Sequence, residues 1–259
     1  MSHALKAKEF LPSIAPDALR KRAKTLADIR KFFSSRSVLE VQTPLLMPYG
    51  VSDPFIAPLC VSTQKTQFLG YLQTSPEYAM KRLLASGSGD IFQICKAFRD
   101  DPSSPLHHRE FTMLEWYRLG FDDRALMDEV ADLLEYLGFA RPVHSTYQAL
   151  WQDYFGNNVH DLDLDGLKQM IQSHIPELSS NYAVLNQADG QMLLFSHFIE
   201  PKLGKERPVL VYHYPIAQAA LAKTSKHEGQ CLAKRFELFY KGIELANGYD
   251  ELSDGDEFL

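Results

Sequence analysis

Phe98-Arg99-Asp100-Asp101 and, after a short polar loop, Glu110-Phe111-Thr112-Met113-Leu114-Glu115-Trp116-Tyr117 are the stretch that decides the fold. Each half has the residue content of a strand, and Pro102-Ser103-Ser104-Pro105 between them has that of a hairpin loop. Side chains alternate along a strand, so Arg99 and Asp101 are expected on one face, and Phe111, Met113, Glu115 and Tyr117 on one face. A face built only for a core would be apolar. A face built only for water would not carry Phe, Met and Tyr. The mixture suits a site that holds a flat base, a phosphate and a cation.

Upstream of the hairpin, residues 1–16 have the composition of a loose leader. Asp17 is expected to cap a helix in which Leu19, Ala23, Leu26, Ile29 and Phe33 recur at helical spacing to about Arg36. Val38 to Thr43, closed by Pro44, predicts a short strand whose missing ladder donor marks an edge suited to pairing with a second subunit. Residues 45–70 carry Pro48, Gly50, Pro54 and Pro58 and predict loops and short strands. Ser75 is then placed as an N-cap, Pro76 as the first helical residue and Gly87 as the stop. Glu77 in that first turn either complements the helix dipole or awaits an ammonium group.

Downstream, Asp122 starts an amphipathic helix ended by Gly138, and residues 141–205 hold further helical patterns around Trp151, Leu167 and Leu193 to Phe198. They carry no dense cluster of reactive side chains, and their isolated histidines are expected to be packed or superficial. This part has the character of an insertion. Strands return with Pro208 to Pro215 and with a hairpin of Arg235–Tyr240 and Ile243–Asn247, turned by Lys241-Gly242. In that register Phe239 faces Glu244, and Glu237 lies on the same face, diagonal to Glu244. Two uncompensated carboxylates would repel, so the pair calls for a cation, and an all-oxygen ligand set favours Mg2+.

With 45% hydrophobic and 23% charged residues in 259, the chain has the composition of a soluble globular protein rather than a disordered one. No run approaches a membrane span and the N-terminus has no signal-peptide core, so a cytoplasmic location without membrane association is expected. Cys60, Cys95 and Cys231 are far apart, which argues against a disulfide framework or structural zinc and for reduced, buried thiols. A net charge of -6 opposes broad nucleic-acid binding. The basic run Arg20 to Arg36 is open to two readings, a local binding patch or a solvated helix face.

Phe98-Arg99-x-Asp101, His107 and Glu110 to Tyr117 together resemble motif 2 of the class II aminoacyl-tRNA synthetases in its lysyl form, and the helix, strand and Pro44 resemble motif 1. Thr74-Ser75-Pro76-Glu77-Tyr78, Val211-Tyr212-His213-Tyr214-Pro215 and Tyr240 to Gly248 are similar to the stand-alone lysine ligases that modify elongation factor P. The resemblance covers nearly the whole chain from Asp17 and implies an α+β fold, a class II synthetase-like antiparallel sheet flanked by helices. It implies ATP and Mg2+ as cofactors, lysine or (R)-β-lysine as substrate, elongation factor P as acceptor, a homodimer formed near Pro44, and no role for tRNA. In that scheme Arg99 holds the substrate carboxylate and α-phosphate, Phe111 stacks on adenine, Asp101 accepts from its amino group and His107 lies by the phosphates. Glu237 and Glu244 carry the metal, Ser75, Glu77 and Glu115 flank the substrate amino group, and Tyr117 and Glu251 take the ε-ammonium with Asn247 beside them.

Four departures accompany the resemblance. The family carries glutamate where Asp101 stands, and Pro105-Leu106 precede His107 where an arginine is usual. Strand parity also sets Asn247 and Glu251 on the face opposite Glu244 unless a bulge intervenes, for which Gly248 is the expected position. Motif 3 should follow Glu251, but no Gly-x-Gly-x-x-Arg pattern occurs, which leaves the fold C-terminally incomplete. A truncated or degenerate form, a truncated lysyl-tRNA synthetase core and an inactive dimeric lysine- or adenylate-binding paralogue all stay open at this point.

Overall fold

Helix α1 (Pro16–Ser34) is the first element of the computed structural model, which describes residues 14–53, 56–102, 104–177, 186–227 and 229–252. The leader expected over residues 1–16 lies almost wholly outside these. Two compact units divide the chain, Met1–Leu119 and Gly120–Leu259.

In the first unit α1 begins at Pro16, whose missing N–H costs nothing in a first turn. Asp17 is not the cap. It sits inside the first turn, where its carboxylate complements the helix dipole and pairs with Arg20 at 2.8 Å. Only the C-terminal half of the predicted apolar stripe is covered: Ile29, Phe32 and Phe33 are buried, whereas Leu19 is 55% exposed. Much of the basic run is paired locally, Lys24 with Asp28 and Arg30 with Glu40, and Arg36 lies over the Phe32 ring at 3.6 Å. These contacts favour the solvated-face reading over a nucleic-acid patch.

The hairpin of the opening stretch is real, but its first strand lies upstream of the expected one and shares only Phe98 with Phe98–Asp101. Strands β5 (Ile91–Phe98) and β6 (Glu110–Tyr117) pair antiparallel from Ile91 opposite Tyr117 to Phe98 opposite Glu110. Strand β1 (Leu39–Glu40) adds to β5 in parallel, giving the order β1-β5-β6 with β1 at an edge, as the proline predicted. Alternation separates the two faces. Phe92 and Trp116 point to α1, where Phe33 stacks on Phe92 at 4.8 Å and meets Trp116 at 5.2 Å. The other face is left to Gln93, Cys95, Met113, Glu115 and Tyr117. Beside this sheet β2 (Leu46–Met47), β4 (Phe68–Leu72) and β3 (Cys60–Ser62) form another in the order β2-β4-β3, and helix α2 (Glu77–Ala85) follows. Helix α2 starts one residue later than predicted: Pro76 is the cap, and Ser75 Oγ accepts from Glu77 N at 3.4 Å.

In the second unit helix α3 (Asp123–Tyr136) is capped by Asp122, which accepts from Ala125 N at 2.8 Å. A strand that periodicity did not reveal, β7 (Val143–Thr146), pairs in parallel with β8 (Val209–Pro215). Between them lie α4 (Tyr147–Phe155), α5 (Leu164–His174) and α6 (Gln187–Leu194), the last continued by a π turn. Strands β9 (Thr224–His227), β10 (Gln230–Tyr240) and β11 (Ile243–Tyr249) complete a sheet ordered β11-β10-β8-β7, with β9 also on β10. Its core joins Tyr147, Trp151, Leu167 and Phe195 to Val209, Val211, Tyr214 and Phe239. Burying aromatic side chains of this size contributes a few kcal/mol each, about 3–5 by truncation to alanine. Lys241 and Gly242, with φ of 55° and 73°, form the two-residue turn of the β10–β11 hairpin as predicted. Among the described residues no helix is long and apolar enough to cross a membrane. The cysteines are unpaired as expected, but Cys60 is exposed rather than buried.

Candidate active site

The mixed face of the first unit is set by β6 and extended by the turn after β5. Glu115 and Tyr117, two apart on β6, touch through a Tyr117 Oη donation to Glu115 Oε1 at 2.6 Å. Arg99 and Asp101 lie beyond the end of β5 instead of on it, because the ladder closes at Phe98 and Glu110. Arg99 is held there by its own N–H to Arg109 O at 3.1 Å and by Nε to Thr74 O at 3.4 Å. Its guanidinium stands 5.3 Å from the centre of the Phe111 ring. A cation near an aromatic face is attracted by the ring quadrupole. His107 closes a tight turn in the loop: its N–H donates to Ser104 O at 3.3 Å and its ring meets Ser104 Oγ at 3.0 Å. Glu77 pairs with Lys81 at 2.7 Å, one turn along α2.

Behind Glu115 lies a polar layer that alternation alone did not single out. Gln93, opposite Glu115, and Gln73 are both buried; Gln93 Nε2 reaches Thr43 Oγ1 at 3.1 Å and Gln73 Nε2 reaches Lys96 O at 2.8 Å. Burial pushes the adjoining Cys95 thiol up from its ordinary value. It is therefore a neutral packing thiol.

The second unit supplies a face of its own, and two backbone irregularities assemble it. Between Leu238 and Phe239 the β10–β11 register slips: Phe239 faces Glu244, yet Glu237 faces Asn247, so Leu245 is an extra residue in β11. The bulge thus stands at Leu245 and not at Gly248. Gly248 sits in regular register opposite Phe236, and it is glycine because a Cβ there would come 2.6 Å from Phe236 Cε1. Against β8 the slip sets two residues of β10, Lys234 and Arg235, opposite His213 alone, whose φ of 60° is left-handed. Tyr214 thereby joins the face of Val211.

Glu237, Asn247 and Tyr214 consequently converge. Tyr214 Oη donates to Glu237 Oε2 at 2.6 Å, and burial, reinforced by that carboxylate, raises the phenol well above its ordinary pKa. Arg235 pairs with Glu237 Oε1, donates from Nη1 to Gln218 O at 2.7 Å and from Nε to Asn247 Oδ1 at 3.3 Å. Burial, the largest influence, weakens the case for charge on Arg235, but Glu237, Tyr249, Tyr214 and Glu244 together outweigh it, and the guanidinium pKa is raised. Gln218 also donates to Tyr147 Oη at 3.4 Å and to Gln191 Oε1 at 3.3 Å, tying the helices of 147–194 to this strand. Glu200 lies near enough to feel Glu237; burial first, and that neighbour second, raise its pKa. Glu251 follows in an isolated bridge to Ala222.

The model of the class II tRNA synthetase family (D, K and N) matches residues 13–258. The chain belongs to that family. Within it, the chain is 45% identical over 259 residues to the elongation factor P–(R)-β-lysine ligase of Haemophilus influenzae strain PittGG, covering 95% of this chain and 76% of the relative. The same-named protein of Haemophilus influenzae strain ATCC 51907 is 46% identical over 250 residues, covering 92% and 74%. That of Avibacterium paragallinarum is 43% identical over 259 residues, covering 96% and 78%.

For a class II synthetase domain, the metal question turns on Glu237 and Glu244. Phe239 faces Glu244, so alternation sets Glu237 and Glu244 on one face, but Glu237 is compensated by Arg235 and Tyr214, contrary to the expectation of two repelling carboxylates. Among the described residues no group of three His, Cys, Asp or Glu side chains could hold a metal by itself. Such a donor set fits magnesium, which takes one or two carboxylates and fills its other positions with phosphate oxygens and water. Arg235 is the residue that sequence reasoning missed, although its place two residues before Glu237 puts it on the same face by simple alternation.

Proposed function

We propose that the chain is an ATP-dependent ligase that activates lysine or (R)-β-lysine and transfers it to a lysine side chain of elongation factor P. The observation that carries this reading is the 43–46% identity to ligases of that name over nearly the whole chain. In the first step the substrate carboxylate attacks the α-phosphorus of ATP and pyrophosphate leaves. In the second the neutral ε-amine of the acceptor attacks the acyl carbon, AMP leaves and the amine gives up a proton.

Arg99 is assigned to the carboxylate and α-phosphate, where its positive charge stabilises charge that grows in the transition state. Its station at the Phe111 ring supports this, and Phe111 is assigned to adenine, with Asp101 and His107 contributing from the turn and loop. Glu115 and Tyr117, already in contact, are assigned with Ser75 and Glu77 to the ammonium groups of the substrate, and Asn247 and Glu251 complete that set. A carboxylate reserved for an ammonium rejects neutral side chains, which would leave it unpaired. Glu237 and Glu244 would hold magnesium, which when bound supplies charge neutralisation at the phosphates. Residues 17–259 act as one catalytic domain in this proposal, in line with the span of the family match. A homodimer through the motif 1 region near Pro44 is supported by the exposed apolar side chains of Leu39, Leu46 and Phe68 on short strands. The reaction is placed in the cytoplasm, without tRNA.

ATP–pyrophosphate exchange dependent on lysine or (R)-β-lysine, followed by acyl transfer to elongation factor P, tests the proposal. Charging of tRNA without modification of the factor would assign a lysyl-tRNA synthetase instead. Binding of lysine and ATP without exchange would assign a non-catalytic paralogue.

A further inference from the structure

The Arg235 side chain is 17% exposed and makes three directed contacts from three different nitrogens: Nη1 to Gln218 O at 2.7 Å, Nε to Asn247 Oδ1 at 3.3 Å, and Nη2 to Glu237. Its guanidinium lies 4.9 Å from the Tyr214 ring centre and 5.7 Å from that of Tyr249, which fixes the plane of the fork. A backbone carbonyl anchors one end of that fork, so the other end delivers a set geometry to the side chains it meets. Lysine could match the charge but not three bonds in one plane.

Two consequences follow from the chemistry of the partners. A guanidinium only donates, so the side of the Asn247 amide that faces it must be the oxygen. Asn247 Nδ2 is then turned towards Glu237 Oε1, 3.5 Å away. Glu237 is held at both ends, Oε1 by Arg235 and Asn247 and Oε2 by Tyr214 alone, which leaves Oε2 a lone pair. It can therefore accept a further positive partner without leaving its present rotamer.

We propose that Arg235 is the positioning residue of this face, fixing the rotamer of Glu237 so that it presents a ready-made contact to the magnesium–nucleotide substrate, and fixing the amide orientation of Asn247 for the amino-acid substrate. The proposal rests on the ligase reading. It assigns Arg235 no contact with the reacting atoms; the residue acts through Glu237 and Asn247.

The test is calorimetric binding of ATP, with and without Mg2+, to the wild-type protein and to R235K, R235M, E237Q and R235M/E237Q, each checked by thermal melting. In the presence of Mg2+, R235M and E237Q should each weaken nucleotide binding by about tenfold or more, and the double variant should lie within about threefold of the weaker single one, because the two act as a unit. R235K keeps the charge and loses the fork, so it should bind measurably more weakly than wild type. R235M should also melt lower than R235M/E237Q, since only the former leaves a buried carboxylate without its cation. A double variant that loses the product of the single effects would overturn the assignment. So would an R235K protein that binds as tightly as wild type, which also decides the matter if R235M fails to fold. A wild-type protein that binds no nucleotide would sink the ligase reading itself, and this assignment with it.

Discussion

The Tyr117 hydroxyl donates to Glu115 Oε1 at 2.6 Å, so the phenol and carboxylate assigned to the substrate's ammonium groups are already joined in a single unit. A hydroxyl donated to a carboxylate contributes about 1.5–3 kcal/mol. Y117F should therefore weaken lysine binding by about tenfold or more while leaving ATP affinity unchanged, as measured by calorimetry with each ligand alone. Equal loss for both ligands would remove Tyr117 from the amino-acid subsite.

Arg99 stands next to Phe111 just beyond the end of β5, with the Thr74 carbonyl at its Nε. Replacing it by Met should cut pyrophosphate exchange by about a hundredfold or more, the cost of losing a donor that acts on transition-state charge. Melting temperature should change little. An R99M protein within a few-fold of wild type in exchange would displace Arg99 from the reaction.

How far the sequence carried these assignments depends on which rule each residue obeys. The pairing of β5 with β6, the face shared by Glu115 and Tyr117, the Lys241-Gly242 turn and the Asp122 cap all follow local rules of alternation and turn chemistry, and all were legible. Arg99 and Asp101 were misplaced onto the strand because alternation cannot say where a ladder ends. Strand β7 escaped because its four residues owe their pairing to β8, sixty-odd positions on, and its own sequence, Val-His-Ser-Thr, has little apolar alternation. The bulge was required by parity but placed at Gly248, since glycine is the usual signal; the real cause of Gly248 is the Phe236 ring across the sheet, a tertiary fact.

That ring sets the next expectation. G248A would drive a methyl group into Phe236, which is 1% exposed and has no room to retreat. Overpacking of this kind costs about 1–3 kcal/mol. G248A should lower the denaturation midpoint, and G248A/F236L should recover part of the loss. If the single substitution were neutral, the close packing of this strand pair would be disproved.

His213 combines a left-handed φ of 60° with a pKa pushed down to about 4 by burial, and further by Arg124 and His227. A folded-state pKa below the ordinary value of 6.5 means that the unfolded chain takes up the proton first as pH falls. The contribution is complete above 6.5 and is lost progressively as pH falls through that value towards the folded-state pKa of about 4. Asparagine accepts left-handed backbone and does not titrate here. The melting temperature of H213N relative to wild type should thus rise between about pH 7.5 and about pH 5. A pH-independent difference would exclude His213 as the titrating group.

Leu39 and Leu46 are 56% and 43% exposed on strands of two residues each. If they are covered by a second copy of the chain, L39D/L46D should convert a dimer to monomer in sedimentation equilibrium without lowering the ellipticity of the monomer. An unchanged mass would place the dimer contact elsewhere or remove it.

The extra residue at Leu245 has a consequence for which changes of length this hairpin can survive. Phe239 faces Glu244 and Leu238 faces Ala246, so a chain lacking Leu245 would run in regular alternation with Asn247 still opposite Glu237. One residue gained between Glu244 and Asn247 has no such outlet and, unless the bulge widened, would carry Asn247 and Tyr249 to the far side of the sheet. Loss of this solvent-facing leucine should accordingly do less harm to the polar face than gain of a single residue beside it.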